Sequence, residues 1–284
     1  MMLKEDKDKM TDLAWNRLYE RLEQDGLLID TPQPEKKKLY SYKALKWVAA
    51  VAVLCISISM IYIINNSNVE NATMLTLQNE EAASTLVKTL EDGSVVYLSG
   101  YASLNYPEHF RDEKREVSLD GDAFFDINRN PHKPFIIDTK DAIIEVLGTS
   151  FNVKSIGEAP FSLSVETGEV RVTSKRDNKV LNVRAGETAF FQAESLHKVK
   201  TDSNRLFSTY KEKIHFKDES LSNIIQIINM NSGSVKLSLS SDIENRKLTV
   251  TFQGNSPSDM AELISIALNL ELTRNDNIIT LSKK

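Results

Sequence analysis

The stretch from Trp47 to Ile64 constrains this chain more than any other. It reads W-V-A-A-V-A-V-L-C-I-S-I-S-M-I-Y-I-I, eighteen residues with no charge, glycine or proline. As a helix rising ~1.5 Å per residue it would be about 27 Å long, close to the hydrocarbon thickness of a bilayer. Lys36, Lys37, Lys38, Lys43 and Lys46 crowd its N-terminal side, and no basic residue follows until Lys88. Basic flanks mark the cytoplasmic side of a membrane helix. The pattern predicts one transmembrane helix, with the N-terminus in the cytoplasm and residues 65–284 across the membrane. A cleaved signal peptide carries its charge at the very start of the chain, whereas forty-six residues precede this run. A buried core helix is the remaining alternative, although such helices rarely lack a polar face over this length.

The formal net charge of -5 gives no basis for nucleic-acid binding by bulk charge. The single cysteine, Cys55, lies within the apolar run, so the remainder must fold without disulfides. Residues 1–35 hold five basic and nine acidic side chains, which argues against a DNA- or headgroup-binding arm.

Residues 9–28 read as an amphipathic helix. Trp15, Leu18, Tyr19 and Leu22 follow the i, i+3, i+4, i+7 rule. Thr11 or Asp12 is the expected cap and Gly26 the expected end. A helix this short has no core of its own in which to bury the stripe, so a groove on a cytoplasmic partner is the functional expectation. A membrane-surface helix or a weakly ordered tail is the alternative. Asp25 to Glu35, with Pro32 and Pro34, reads as a linker.

Beyond a polar spacer at 65–83, short strands recur from Ser84 to about Ala193. They are expected at 86–90, 95–98, 116–119, 123–127, 135–138, 143–147, 150–154, 161–165, 170–173, 179–183 and 188–191. Turn signals separate them: Asp92-Gly93, Asp120-Gly121, Asn130-Pro131, Thr167-Gly168 and Ala185-Gly186. This predicts an all-β sandwich or jelly-roll-like body. The charge-dense run Arg111 to Glu116 reads as a solvated loop. Residues 213–284 then alternate strands with two helices, Ser220–Met230 and Met260–Asn269, and close with a hairpin around Asn275-Asp276-Asn277. A small α+β module is expected there. The helix faces are Leu221, Ile224, Ile225 and Ile228 in the first, and Leu263, Ile264, Ala267 and Leu268 in the second.

The β-rich stretch carries a series of short motifs. They are Thr89-Leu90-Glu91-Asp92-Gly93-Ser94-Val95-Val96-Tyr97-Leu98, Leu104-Asn105-Tyr106-Pro107 with Phe110, and Arg115-Glu116-Val117-Ser118-Leu119-Asp120-Gly121-Asp122-Ala123-Phe124-Phe125. Pro134-Phe135, Val146-Leu147-Gly148-Thr149-Ser150-Phe151-Asn152-Val153, Gly168-Glu169-Val170 and Ala185-Gly186-Glu187 follow in order. The series resembles the FecR family of transmembrane anti-sigma factors. The C-terminal module resembles the secretin/TonB short domain that ends the longer members. Asp122 stands where the family more often has Glu, and Ser99-Gly100 where it prefers an Asn.

The resemblance implies a multi-domain membrane protein of the cell inner membrane, with a periplasmic C-terminus. Its expected parts are a sigma-binding helix and linker at 1–35, a basic flank and transmembrane helix at 36–64, and a periplasmic spacer at 65–83. A FecR-like all-β domain at 84–200 and an α+β module at 201–284 complete it. It also implies an extracytoplasmic-function sigma factor held by Trp15, Leu18, Tyr19 and Leu22. A TonB-dependent outer-membrane transducer would be sensed through residues 213–284, and regulated proteolysis would release the sigma factor.

One local feature suggests chemistry. Gly148-Thr149 lies in a tight turn, with the threonine hydroxyl beside the glycine carbonyl carbon. If the turn strains that peptide bond, the hydroxyl can attack it, and water then hydrolyses the resulting ester. The plainer reading is structural: Gly148 supplies a positive φ or a bulge, and Thr149 begins a strand. His109, His132, His197 and His215 have no metal-ligand spacing, and there is no G-x-S-x-G or phosphate-binding glycine loop. The expectation is a protein that is not an enzyme and holds no cofactor or metal. The competing class is a membrane-tethered periplasmic module for envelope assembly, without a sigma partner; a mere anchor would have no use for an exposed Trp15 stripe.

Overall fold

The computed structural model describes residues 4–27, 42–66, 73–111, 113–157, 159–192, 195–201 and 205–284. The chain divides into two compact units, Met1–Val69 and Glu70–Lys284. Most of the expected linker, and Lys36 to Lys38, lie outside the described residues.

The first unit contains helices α1 (Lys4–Gln24) and α2 (Tyr42–Asn66). Helix α1 starts well before the expected boundary, so Thr11 and Asp12 lie inside it and cap nothing; nothing in residues 4–10 breaks a helix. Its end is as read. Gly26 takes φ +63, Gly26 N–H bonds to Glu23 O at 3.2 Å and Leu27 N–H to Leu22 O at 3.0 Å, the paired bonds of a Schellman stop.

Helix α2 forms over the expected span, but the membrane reading is corrected. Among the described residues, no helix is long and apolar enough to cross a membrane. Side chains 48, 49 and 61–64 of the expected span lie outside the description. The transmembrane helix at Trp47 to Ile64 and the single-pass inner-membrane location are withdrawn together.

The second unit opens with β1 (Met74–Gln78), β2 (Thr85–Thr89), β3 (Val95–Leu98), β4 (Ser103–Pro107) and β5 (Arg115–Asp126). It continues through β6 (Phe135–Asp138), β7 (Ala142–Val146), β8 (Ser150–Ser155), β9 (Ser162–Thr167) and β10 (Glu169–Ser174). Then come β11 (Val180–Arg184), β12 (Glu187–Gln192) and β13 (Ser195–Lys200). Strand β1 lies within the stretch read as a spacer and pairs antiparallel with β4.

Strand β5 organises this part. Its first half pairs with β4 and, in parallel, with β6, whereas its second half pairs with β3 and β8. Two strands separated by a turn were expected here; instead one strand passes from one half of the sheet to the other at Gly121. Gly121 takes φ +118, and a Cβ there would lie 2.6 Å from Ala102 Cα, so the glycine permits a close crossing rather than a turn. Along β5, Val117, Leu119, Ala123 and Phe125 face the main core. Phe124 faces the other way, into a second core.

The last part comprises α3 (Arg205–Glu212), β14 (Lys213–Ser220), α4 (Leu221–Asn231), β15 (Lys236–Leu239) and β16 (Lys247–Gln253). Helix α5 (Pro257–Leu268), β17 (Leu270–Asn275) and β18 (Ile278–Lys283) complete it. Ser256 and Asp259 form a reciprocal capping box at the start of α5. In α5 it is Ala261 and Ile264 that are buried, while Leu263 and Ala267 of the expected face are exposed.

The expected sandwich beside an α+β module is also corrected. Strand β14 joins β2 in parallel, Ile214 opposite Thr85 and Phe216 opposite Val87, and carries β16 on its far edge. The result is one hydrogen-bonded sheet of fifteen strands, nearly closed in the manner of a barrel, beside a smaller sheet β15-β18-β17. The physical reason is the outer face of β2, β3 and β5. Val87, Val95, Tyr97 and Phe124 are apolar there, and they form one core with Phe207, Tyr210, Phe216 and the apolar stripe of α4.

The run Arg111 to Glu116 is not simply a solvated loop. Arg115 begins β5 and is 1 % exposed. Its guanidinium pairs with Asp92 at 2.6 Å and donates to Lys133 O and Asn128 O, each at 2.9 Å, over the Phe135 ring. A buried arginine is tolerated because several donors are spent at once.

Candidate functional site

The stripe read on α1 is present and uncovered. Trp15 is 56 %, Leu18 46 % and Tyr19 58 % exposed, with Met10 and Leu13 exposed nearby and Leu22 partly buried. A helix holding a tryptophan, a tyrosine and leucines in water has the composition of a docking face, since large amphipathic rings dominate protein interfaces.

Gly148-Thr149 lies between β7 and β8, as expected, and the backbone there is unusual. Gly148 takes φ +155, and a Cβ on it would sit 2.5 Å from Arg129 Cα. Gly168, at φ +85, passes close to the same spot: a Cβ added there would lie 2.6 Å from Thr149 Cγ2 and 3.3 Å from Gly148 O, so only glycine fits. Thr149 is 5 % exposed and its Oγ1 is buried without a hydrogen-bond partner. Its carbonyl accepts from Ile127 N at 2.9 Å, which fixes the start of β8. A cleft of about 290 Å³, lined in part by Arg129, Glu145, Glu169 and Arg171, opens beside it. No described side chain accepts the hydroxyl proton. In an N-to-O acyl shift that proton goes to the departing Thr149 amide nitrogen as the Gly148 carbonyl carbon exchanges nitrogen for oxygen, so no separate base is obligatory.

A third cluster was not read from the sequence. Where α3 meets the sheet, Tyr210 donates its hydroxyl to Asp122 Oδ1. Asn152 Nδ2 donates to the same carboxylate oxygen at 2.9 Å and also to the Tyr210 hydroxyl oxygen, and Lys154 Nζ stands 3.8 Å from Asp122 Oδ2. Burial raises the Asp122 pKa above the usual carboxylate range, against the Tyr210, Lys154 and Asn152 contacts, which lower it. Burial and the neighbouring Asp122 push Tyr210 strongly upward. The sequence marks Asp122 only as a departure from the family pattern, and it predicts no element around Tyr210. Lys88 and Glu219 add an ion pair of 2.9 Å across the β2–β14 junction.

Residues 79–171, from just after β1 to the middle of β10, match the model of the FecR protein family. The class is therefore that of FecR-domain proteins. The match is confined to that stretch, which holds β2 to β9 and the first half of β10. No curated protein matches. Two solved structures of candidate anti-sigma factors from Parabacteroides distasonis ATCC 8503 are similar. One is 24 % identical with a TM-score of 0.46, covering 74 % of this chain and 99 % of that one. The other is 25 % identical with a TM-score of 0.45, covering 75 % and 99 %.

Proposed function

We propose that this chain is a non-enzymatic signal-relaying anti-sigma factor, in which α1 holds a sigma factor of the extracytoplasmic-function class and the FecR-containing unit receives the signal. The observation that carries the reading is the uncovered Trp15-Leu18-Tyr19 stripe in a chain with a FecR match. An apolar stripe of this kind is stabilised by a partner's groove and by nothing in its own helix. The signal would come from a TonB-dependent transducer meeting residues 213–284, and proteolysis would end sequestration. The test is affinity capture with the full chain from the source cell. A co-purifying sigma factor that is lost with Trp15→Asp supports the reading, and a partner retained by that variant overturns the assigned surface.

Within this reading Gly148-Thr149 is a self-processing bond. The Thr149 hydroxyl replaces the Thr149 amide nitrogen on the Gly148 carbonyl carbon, and water then hydrolyses the ester to a Gly148 carboxylate. The unpartnered hydroxyl and the positive-φ glycine support this. Purified chain should separate into two fragments at this bond, and Thr149→Ala should run as one; two fragments from Thr149→Ala would exclude the hydroxyl.

A further inference from the structure

Beneath the helices that cover β3 lies a cavity of about 240 Å³. Its walls are largely apolar, formed by Ile214, Ile227, Ile228 and Met260. Tyr97 from β3, Asn231 at the end of α4, Lys211 from α3 and Asn255 interrupt them.

Two of these polar groups are unspent. Tyr97 is 1 % exposed, and its oxygen accepts from Asn231 Nδ2 at 3.2 Å, that amide being held in turn by Ile227 O at 2.9 Å. The phenol's own O–H has no acceptor among the described residues, although buried donors are nearly always satisfied. Burial above all, with smaller contributions from Asp126 and Glu166, pushes the phenol up to about 12, so the hydrogen is available at neutral pH. Lys211 is half-buried, lies 5.2 Å from the centre of the Phe124 ring and makes no ion pair among the described residues. A donor and a cation at the rim of an apolar cavity are complementary to an acceptor bearing negative charge on an apolar body.

We propose that this cavity binds a small apolar carboxylate, the Tyr97 hydroxyl and Lys211 ammonium taking the carboxylate and the Ile214, Ile227, Ile228 and Met260 walls its apolar body. Ligand pockets for drug-sized molecules run from roughly 300 to 1,000 Å³, so a short chain or a single ring suits this one. The ligand would touch β3 of the FecR domain together with α3, α4 and α5, and occupancy would therefore stabilise their junction. The site stands independently of the sigma-factor reading.

The experiment is calorimetric titration of the full chain with hexanoate and phenylacetate, using hexanamide and phenylacetamide as neutral counterparts. Saturable binding of at least one carboxylate is expected, with its amide about tenfold or more weaker, the loss of one charge-assisted contact. Lys211→Met should weaken the carboxylate by a similar factor and leave the amide unchanged. Tyr97→Phe should weaken both, because it removes the hydrogen-bond donor alone. Thermal unfolding without ligand checks that each variant is folded, and Lys211→Gln replaces Lys211→Met if the latter shifts the midpoint. No saturation by either carboxylate up to about 10 mM, equal affinity for acid and amide, or an affinity indifferent to Lys211→Met would each overturn the proposal.

Discussion

Helices α1 and α4 carry apolar stripes of the same spacing and meet opposite fates. In α4, Leu221, Ile224, Ile225 and Ile228 are buried against the outer face of the large sheet and the small sheet behind. In α1, Trp15, Leu18 and Tyr19 stand open to solvent. Periodicity says that a helix face is apolar; it does not say what covers it. The residue types separate the two cases. The α4 stripe is β-branched and aliphatic, suited to a close-packed interior, whereas the α1 stripe is aromatic and set among charges, as at interfaces that form and release. One stripe is buried in a core, the other is left uncovered.

Substitutions should separate these roles, and the largest effect belongs to α4. Ile224→Ala should lower unfolding free energy by about 2–5 kcal/mol, measured from the urea midpoint, through lost burial and a cavity. An effect under about 1 kcal/mol would mean that α4 is not anchored as described. Next comes the junction beneath α3. Tyr210→Phe leaves the half-buried Asp122 without its hydroxyl donor, and about 1–3 kcal/mol should be lost by the same measurement.

The pH dependence of that junction has a definite sign. Folded Asp122 has a raised pKa, so the native state holds its proton more tightly than the unfolded chain. Its contribution is fully present below the unfolded carboxylate pKa and is lost as pH rises through the folded value. Asp122→Asn should remove that slope from a plot of midpoint against pH, and an unchanged slope would assign it to another group. The smallest effect is expected on α1, where Trp15→Asp should move the unfolding midpoint by no more than about 0.5 kcal/mol equivalent. A large loss there would erase the contrast with α4.

Much of the β body was legible because its strands are bounded by turn glycines and alternate cleanly: β3 and β6 fall where the sequence places them. Strands β1 and β13 were missed because they are edges with little buried surface, Leu196 being the one fully buried residue of β13. Helix α3 was missed because its signal rests on Phe207 and Tyr210 in eight residues. The adjacent Phe124 and Phe125 did carry a sign of burial on both faces, yet what covers Phe124 lies more than eighty residues away in sequence. The same distance hid the Asp122–Tyr210 contact. Arg115 looked solvated because its neighbours are charged, and only the turn bearing Asp92 reveals its partner. At Gly148-Thr149 the positive-φ turn was readable, whereas the close approach of Gly168 and the unpartnered hydroxyl were not.

The central claim is that the α1 stripe exists to hold a sigma factor. A photo-crosslinking amino acid placed at Leu18 of the full chain, activated in the source cell, addresses it most directly, with the same probe at exposed Ile266 of α5 as control. A covalent adduct with a sigma factor from position 18, absent from position 266, is the predicted result. Adducts from position 18 that contain no sigma factor would contradict the account.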